Sequence, residues 1–255
     1  MEIGRVIDSF PQPFRPDVAI RPDQVDFQPR VVDICSDASS GSVVCKALIV
    51  GDVAVGKTAL INRYCRNVFE KDYKATIGVD FESEQYVFFN RSFILQLWDT
   101  AGQERFKSIA AAYFKGARVI VIAVDLTDPV TLNNASTWLQ DALRDNHDND
   151  CDIYLVGTKK DLCSQSRYER KEQAAIALAN VLGAEYWTTS SLTGENVESF
   201  FNRVAALAFE KAVLREQEAI DTVDCGVVDD DPIRVSKRDS RINSTSSHSK
   251  SKCCK

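Results

Sequence analysis

The stretch Gly51-Asp-Val-Ala-Val-Gly-Lys-Thr58 follows an apolar run and leads into residues with helical spacing. A glycine, four intervening residues, a second glycine, then lysine and a hydroxyl is the spacing of a loop that folds around a phosphate chain. The backbone N–H groups of Ala54 to Thr58 can converge on β-phosphate oxygens, and the amino end of the following helix adds positive potential. Lys57 then sets a point charge between the β- and γ-phosphates, and Thr58 offers its hydroxyl to Mg²⁺. Without a ligand the same string is a glycine-rich turn.

Two more clusters extend this chemistry. In Leu155-Val-Gly-Thr-Lys-Lys-Asp-Leu162, a carboxylate at Asp161 can accept two hydrogen bonds from a purine bearing N1–H and N2–H₂. That purine is guanine, because N1 of adenine is an acceptor. The Lys159 stem can cover the face of the base. Alone, Lys-Lys-Asp is equally a solvated charged turn. In Trp98-Asp-Thr-Ala-Gly-Gln-Glu-Arg-Phe106, Asp99 is placed to reach Mg²⁺ through water, Gly102 can turn its N–H toward a γ-phosphate, and Gln103 can orient the attacking water. An acidic turn after a strand also suits a helix cap, which Asp99 or Thr100 could supply. The combined chemistry is hydrolysis of a terminal phosphoanhydride with little acid–base work by the protein.

Such residues need strands that end together and helices that begin there. Ala47–Val50 and Arg118–Asp125 are apolar runs, and Asp152–Thr158 is a third, as expected of strands buried on both faces. Val79–Phe89 alternates, and Phe93–Trp98 reads as a second strand close behind it. Thr58–Cys65, Leu132–Leu143, Lys171–Leu182 and Asn196–Glu216 have helical spacing, with Gly183 as a stop signal. Glu185–Thr189 is a short strand. The alternation predicts an α/β fold: a doubly wound, mostly parallel, six-stranded sheet with helices on both faces. Residues 1–44 hold five of the seven prolines and no sustained period, so they read as a disordered or extended N-terminal extension outside the core. Residues 45–216 form the domain, and 217–255 read as a flexible polar tail.

Composition narrows the classes. The 255 residues carry a net charge of −6, which argues against nucleic acid as a partner. Eight cysteines are scattered without C-x-x-C pairs, the first residues lack the apolar core of a signal peptide, and no apolar run reaches spanning length. A reduced, cytosolic protein is the expectation. The two histidines, His147 and His248, sit in polar stretches, which disfavours histidine catalysis or metal binding.

The order GDVAVGKT, TIGVDF, WDTAGQERF, TKKD, TSSLTG resembles the small GTPases. Ala75–Phe81, Leu95–Phe106 and Tyr113–Ala117 resemble the Rab family within them, over about residues 46–215. The resemblance implies the P-loop small GTPase fold, Mg²⁺ as cofactor, and a GTP/GDP contact set. That set runs from Val53 through Ala54, Val55, Gly56, Lys57 and Thr58 to Ala59. It continues with Phe69 edge-on to guanine, Tyr73, Thr76, Gly102, Thr158, Lys159 and Asp161. Ser190, Ser191 and Leu192 complete it, Ser191 giving its N–H to guanine O6. Thr58, Thr76 and Asp99 are the implied metal ligands, Thr76 only in the GTP state. Ile77, Phe81, Trp98 and Tyr113 are the implied effector surface, although Trp98 suits core packing equally. The resemblance also implies effector proteins in the GTP state, an exchange factor, a GTPase-activating protein, a GDP-dissociation inhibitor and the prenylation machinery.

Three positions depart from the family pattern. Thr158 stands where most relatives have an asparagine that ties the base loop to the phosphate loop, leaving one hydroxyl for that task. Leu192 replaces a lysine whose base contact is main-chain. Val53 stands where a small residue is usual; its branched side chain leaves the backbone cradle open but crowds Gln103, which predicts slower hydrolysis. Cys253 and Cys254 match the family's double geranylgeranylation pattern, and two chains give stable membrane anchoring where one is marginal. The plain alternative is a pair of inert thiols. The N-terminal extension and Thr158 resemble one branch associated with the Golgi and with late endosomes or lysosomes. The expected function is a switch that cycles between GDP and GTP and recruits effectors to the cytoplasmic face of endomembranes, with a cytosolic pool. The alternatives are a slow, mainly GTP-bound scaffold, and a P-loop ATPase or kinase whose Asp161 tolerates adenine.

Overall fold

A computed structural model describes residues 4–7, 9–37, 41–72, 74–102, 113–144, 146 and 150–224. Among these, seven strands form one sheet: β1 (Arg5–Val6), β2 (Val43–Val50), β3 (Val79–Phe88), β4 (Arg91–Thr100), β5 (Val119–Asp125), β6 (Asp152–Thr158) and β7 (Glu185–Thr188). Five α-helices accompany them: α1 (Pro29–Asp37), α2 (Lys57–Arg66), α3 (Pro129–Arg144), α4 (Gln165–Leu182) and α5 (Val197–Asp224). The strand order is β1-β3-β4-β2-β5-β6-β7, parallel throughout except for the β3–β4 hairpin. Consecutive strands leave β2 in both directions, so the order reverses there. Ligands of such sheets bind beyond the carboxyl ends of the strands at that reversal. The phosphate-type loop starts at this point.

The apolar runs explain the layers. Every residue of β5 is buried, and β2 is buried from Ala47 to Val50. One packed cluster joins α2 and α5 to one face through Leu60, Tyr64, Phe200, Phe201 and Phe209. The other joins α3 and α4 to the opposite face through Trp138, Leu139, Ala175 and Ala179. Cys35, Cys45, Cys65, Cys151 and Cys163 are free thiols, and burial pushes the Cys45 thiol up to about 12. No described helix is long and apolar enough to cross a membrane.

The N-terminal extension differs from the sequence expectation. Its described residues pack on the domain and add the seventh strand, β1, beside Tyr86 and Val87 of β3. Phe10, Val18, Val31 and Cys35 are buried. Phe27 meets Phe10, Phe88, Phe89 and Phe209 edge-on, with centroids 5.0 to 6.4 Å apart. The strap also satisfies charges that α5 buries. Arg203, fully buried, pairs with the buried Glu185 and donates to the carbonyls of Pro11 at 2.8 Å and Ile20 at 2.6 Å. Glu185 accepts from the Ile20 N–H at 2.7 Å. Glu210, also fully buried, accepts from Gln24, from Arg21 and from the Gln28 N–H at 2.7 Å. Buried charges persist only where such partners surround them. Apart from the short α1, whose Val31, Ile34 and Cys35 share one face on the core, the strap uses isolated anchors and backbone atoms, so little periodicity announced it.

The hairpin turn is strained. Phe89 and Asn90 take φ of 49° and 63°, a two-residue turn with both central residues left-handed. Glycine or asparagine is the easy choice there; the Phe89 ring is held by Phe27 at 5.0 Å. Phe10→Ala, within the strap, should lower unfolding stability by about 3 kcal/mol, as for a buried phenylalanine elsewhere. Urea denaturation of the full chain reads this directly, and an unchanged midpoint would show the strap to be dispensable for folding.

Candidate functional site

The loop Gly51–Gly56 leaves β2 and becomes the amino end of α2. Gly56 has φ of 105°, which a side chain would strain, and Ala54 sits left-handed at 59°. The first helical bond runs from the Leu60 N–H to the Gly56 carbonyl, so the N–H groups of Lys57, Thr58 and Ala59 have no partner within the helix. That is an anion site by construction. Lys57 is buried, its ammonium folded back onto the carbonyls of Gly51 and Asp52, each at 2.8 Å. Burial lowers its pKa to about 8 against the pull of Asp99 and Asp52. A multiply charged phosphate would favour the charged form.

At the mouth of this loop three oxygen-bearing side chains converge. The Thr58 hydroxyl donates to Asp99 Oδ2 at 2.5 Å. Thr76 Oγ1 lies 2.9 Å from Thr58 Oγ1 and 3.3 Å from Asp99 Oδ2. Burial raises the pKa of Asp99, and its Oδ1 is buried with no hydrogen-bond partner. An unpartnered carboxylate oxygen beside two hydroxyls fits a hard divalent cation. Among the described residues no cluster of three or more His, Cys, Asp or Glu could hold a metal unaided. A cation here therefore needs ligand oxygens from elsewhere, as Mg²⁺ takes them from phosphates.

Gly102 lies against the loop. A Cβ on it would stand 2.5 Å from the Asp52–Val53 peptide, so only glycine permits this approach. Val53, exposed, lines the same cleft with Ala54, Lys57, Thr58 and Thr76. Phe69 is half-buried beyond α2, and Ala59 sits in the helix's first turn. Gln103, Tyr73, Cys253 and Cys254 lie outside the described residues.

The base-side residues also gather. Thr158, buried at the end of β6, places its hydroxyl 2.6 Å from the Val55 carbonyl and 3.0 Å from that of Val124. It thus ties the base-side strand to the phosphate loop, the task for which a threonine has one hydroxyl. Lys159 has φ of 57° and its ammonium meets Asp125 at 2.7 Å. Asp161 accepts from the Ser190 hydroxyl at 2.5 Å, which joins the two base-side segments. Ser191 is buried and Leu192 exposed. From α2, Arg63 donates to the carbonyls of Ser191 at 2.6 Å and Leu192 at 2.8 Å.

Sequence reasoning missed three of these partners. Arg63 lies outside every motif and gave no signal. Asp125 is a carboxylate at the end of a buried parallel strand, a position that could have been noticed. Asp52, within the motif, accepts from Trp138 Nε1 at 2.7 Å and Asn134 Nδ2 at 2.8 Å, which fastens the loop to α3.

Away from the cleft, Phe81, Trp98 and Tyr113 form a row, with centroids 5.4 and 5.9 Å apart. Phe81 and Tyr113 are exposed, and Ile77 is 85% exposed. The Trp98 ring belongs to this row and also packs on the α3–α4 cluster. Lys46 lies 4.1 Å from its centroid, a cation–π contact.

Thr158→Val keeps the shape and removes the donor to Val55. With that buried carbonyl unpaired, GDP should leave about tenfold faster. Stopped-flow release of a fluorescent GDP measures it; an unchanged rate would show the tie to be inert.

The Ras family model matches residues 46–210. Ras-related protein Rab-36 of Mus musculus is 51% identical over 217 residues, covering 84% of this chain and 81% of that protein. Ras-related protein Rab-34 of Homo sapiens is 46% identical over 253 residues, covering 98% of this chain and 96% of that protein, so the similarity runs through the strap as well.

Proposed function

Because the chain belongs to the Rab small GTPases of the Ras family and acts as a GTPase in vesicle trafficking, we propose that Thr76 is the element through which it senses the γ-phosphate. The observation that carries this reading is the junction of Thr58, Asp99 and Thr76 at the mouth of the phosphate loop. Thr58 and Asp99 belong to fixed elements, α2 and β4, while Thr76 belongs to the segment between α2 and β3. A ligand that bridges them orders that segment; its loss releases it.

The chain's own groups then divide the work. The N–H groups of Ala54 to Ala59 and the ammonium of Lys57 hold the β- and γ-phosphates. Thr58, Thr76 and Asp99 would hold Mg²⁺, which when bound neutralises charge building on the phosphate oxygens. Gly102 donates its N–H to the γ-phosphate, and Gln103 orients the water that attacks it. Asp161 accepts N1–H and N2–H₂ of guanine, Ser191 and Leu192 turn N–H groups to O6, and Lys159 covers the ring. Thr158 keeps base and phosphate loops in register. Phe69 and Tyr73 close the nucleotide's outer side. No arginine stands beside Thr76 in sequence, where Lys74 and Ala75 precede it. Hydrolysis without an activating protein is therefore slow, since a supplied arginine is worth roughly 10³–10⁵ in rate.

In this reading Ile77, Phe81, Trp98 and Tyr113 are the surface effectors touch in the GTP state. The switch runs from β2, which begins at Val43, to the end of α5 at Asp224, so the domain exceeds the expected bounds of 45 and 216 and residues 217–224 are helix where a flexible tail was expected; the strap precedes β2 and the tail follows α5. Cys253 and Cys254 carry geranylgeranyl groups, which hold the protein on the cytoplasmic face of an endomembrane; a GDP-dissociation inhibitor maintains the cytosolic pool. The membrane is that of the Golgi or the late endosome and lysosome, a choice supported by the resemblance of Thr158 and the extension to one branch of the family.

Comparison of proteins captured from cell extract by GTP-loaded and GDP-loaded chain tests the reading. Partners retained only with GTP, and lost when Ile77 is changed to Ala, are the expected result; identical sets from both forms would refute it. Val53→Ser should speed single-turnover GTP hydrolysis several-fold, because it clears the space beside Gly102. Equal rates would remove Val53 as the brake.

A further inference from the structure

We infer that Arg63 is a positioning residue for guanine: it sets the loop whose N–H groups read O6. The inference rests on the guanine reading given above. Arg63 stands six residues after Lys57 on α2, a rise of about 9 Å along the helix axis. The start of α2 faces the phosphate loop, and its last turn faces the loop Ser190–Gly194. One rigid helix therefore links the phosphate loop to the loop Ser190–Gly194.

Each nitrogen of the guanidinium donates at least one hydrogen bond. Nε donates to the Ser191 carbonyl at 2.6 Å, and one terminal nitrogen donates to the Leu192 carbonyl at 2.8 Å. The other donates to Asn67, at 3.0 Å to its side-chain oxygen and 3.2 Å to its carbonyl. Asn67 is the left-handed residue that closes α2, so the far end of the fork is itself fixed. A planar fork holding two successive carbonyls fixes two peptide planes, which a single ammonium cannot do.

The consequence for the base follows from peptide geometry. In a trans peptide the carbonyl of one residue and the N–H of the next point in opposite directions. With the Ser191 carbonyl on Arg63, the Leu192 N–H is turned away from it. With the Leu192 carbonyl on Arg63, the Thr193 N–H is likewise turned away, and it is found on Ser190 Oγ at 3.2 Å. That same Ser190 hydroxyl donates to Asp161 at 2.5 Å. The fork thus orients the Leu192 N–H toward O6, while the Ser191 N–H is set by its own peptide plane, whose Ser190 carbonyl accepts from the Gly194 N–H at 2.8 Å; Ser190 ties this loop to the carboxylate that reads the neighbouring edge of the purine.

The test measures dissociation of three diphosphates from the full chain and from Arg63→Ala. GDP offers O6, N1–H and N2–H₂. Inosine diphosphate keeps O6 and N1–H. 6-Thioguanosine diphosphate keeps the edge read by Asp161 but replaces O6 with a weakly accepting sulfur. In Arg63→Ala, GDP and inosine diphosphate should leave about tenfold faster, while the thio analogue changes less than about twofold. If all three accelerate equally, Arg63 only stabilises the fold and the inference is overturned. If the unaltered chain releases GDP and the thio analogue at one rate, O6 is not read, and the guanine-loop reading falls first. Should Arg63→Ala fail to fold, Arg63→Lys carries the same comparison. It is expected to shift the GDP-to-thio ratio partway, and a ratio equal to that of the unaltered chain would overturn the proposal.

Discussion

A carboxylate buried with one oxygen satisfied and the other bare is the interaction on which the site depends. Asp99 is the penultimate residue of β4, and Thr58 lies in the first turn of α2; their hydrogen bond brings a strand end and a helix start together at the reversal of strand order. The bare oxygen makes the junction costly in isolation and favourable beside a cation. Thr76 is drawn in by the same two oxygens. A single local need, neutralising Asp99, therefore couples phosphate binding to the placement of a segment eighteen positions further along from Thr58.

The strap follows a similar logic on a larger scale. α5 carries Arg203 and Glu210 where no water reaches them. The backbone of Pro11, Ile20 and Gln28, with the side chains of Arg21 and Gln24, surrounds both. Charges of this kind contribute little net stability, but leaving one unpaired is severe. They specify where the strap must lie, while Phe10, Phe27 and Val31 supply the apolar burial that keeps it there.

How much the sequence revealed follows from how local each feature is. The phosphate loop, the β5 and β6 strands and the Lys-Lys-Asp turn are short strings whose chemistry is contained in themselves, and each sits where its string implied. Trp98 left two readings open because one ring can face two ways; its contacts reach both Phe81 and the α3–α4 cluster. The strap and Arg63 were illegible for one reason. Their anchoring hydrogen bonds reach across more than a hundred residues of chain: Arg63 to Ser191, Gln28 to Glu210. Neither leaves a period or a motif, because each contact is made once. The sixth-to-seventh strand difference has the same origin, since a two-residue strand cannot show alternation.

The bond from Trp138 to Asp52 has an optical consequence. The chain has three tryptophans. Trp187 Nε1 is bound to Glu185 in the core, and Trp98 Nε1 is buried without a partner. Only Trp138 donates to the loop that cradles phosphate. Indole emission responds to what its N–H touches, so the molecule carries a native dye on α3 in contact with that loop, readable without any label.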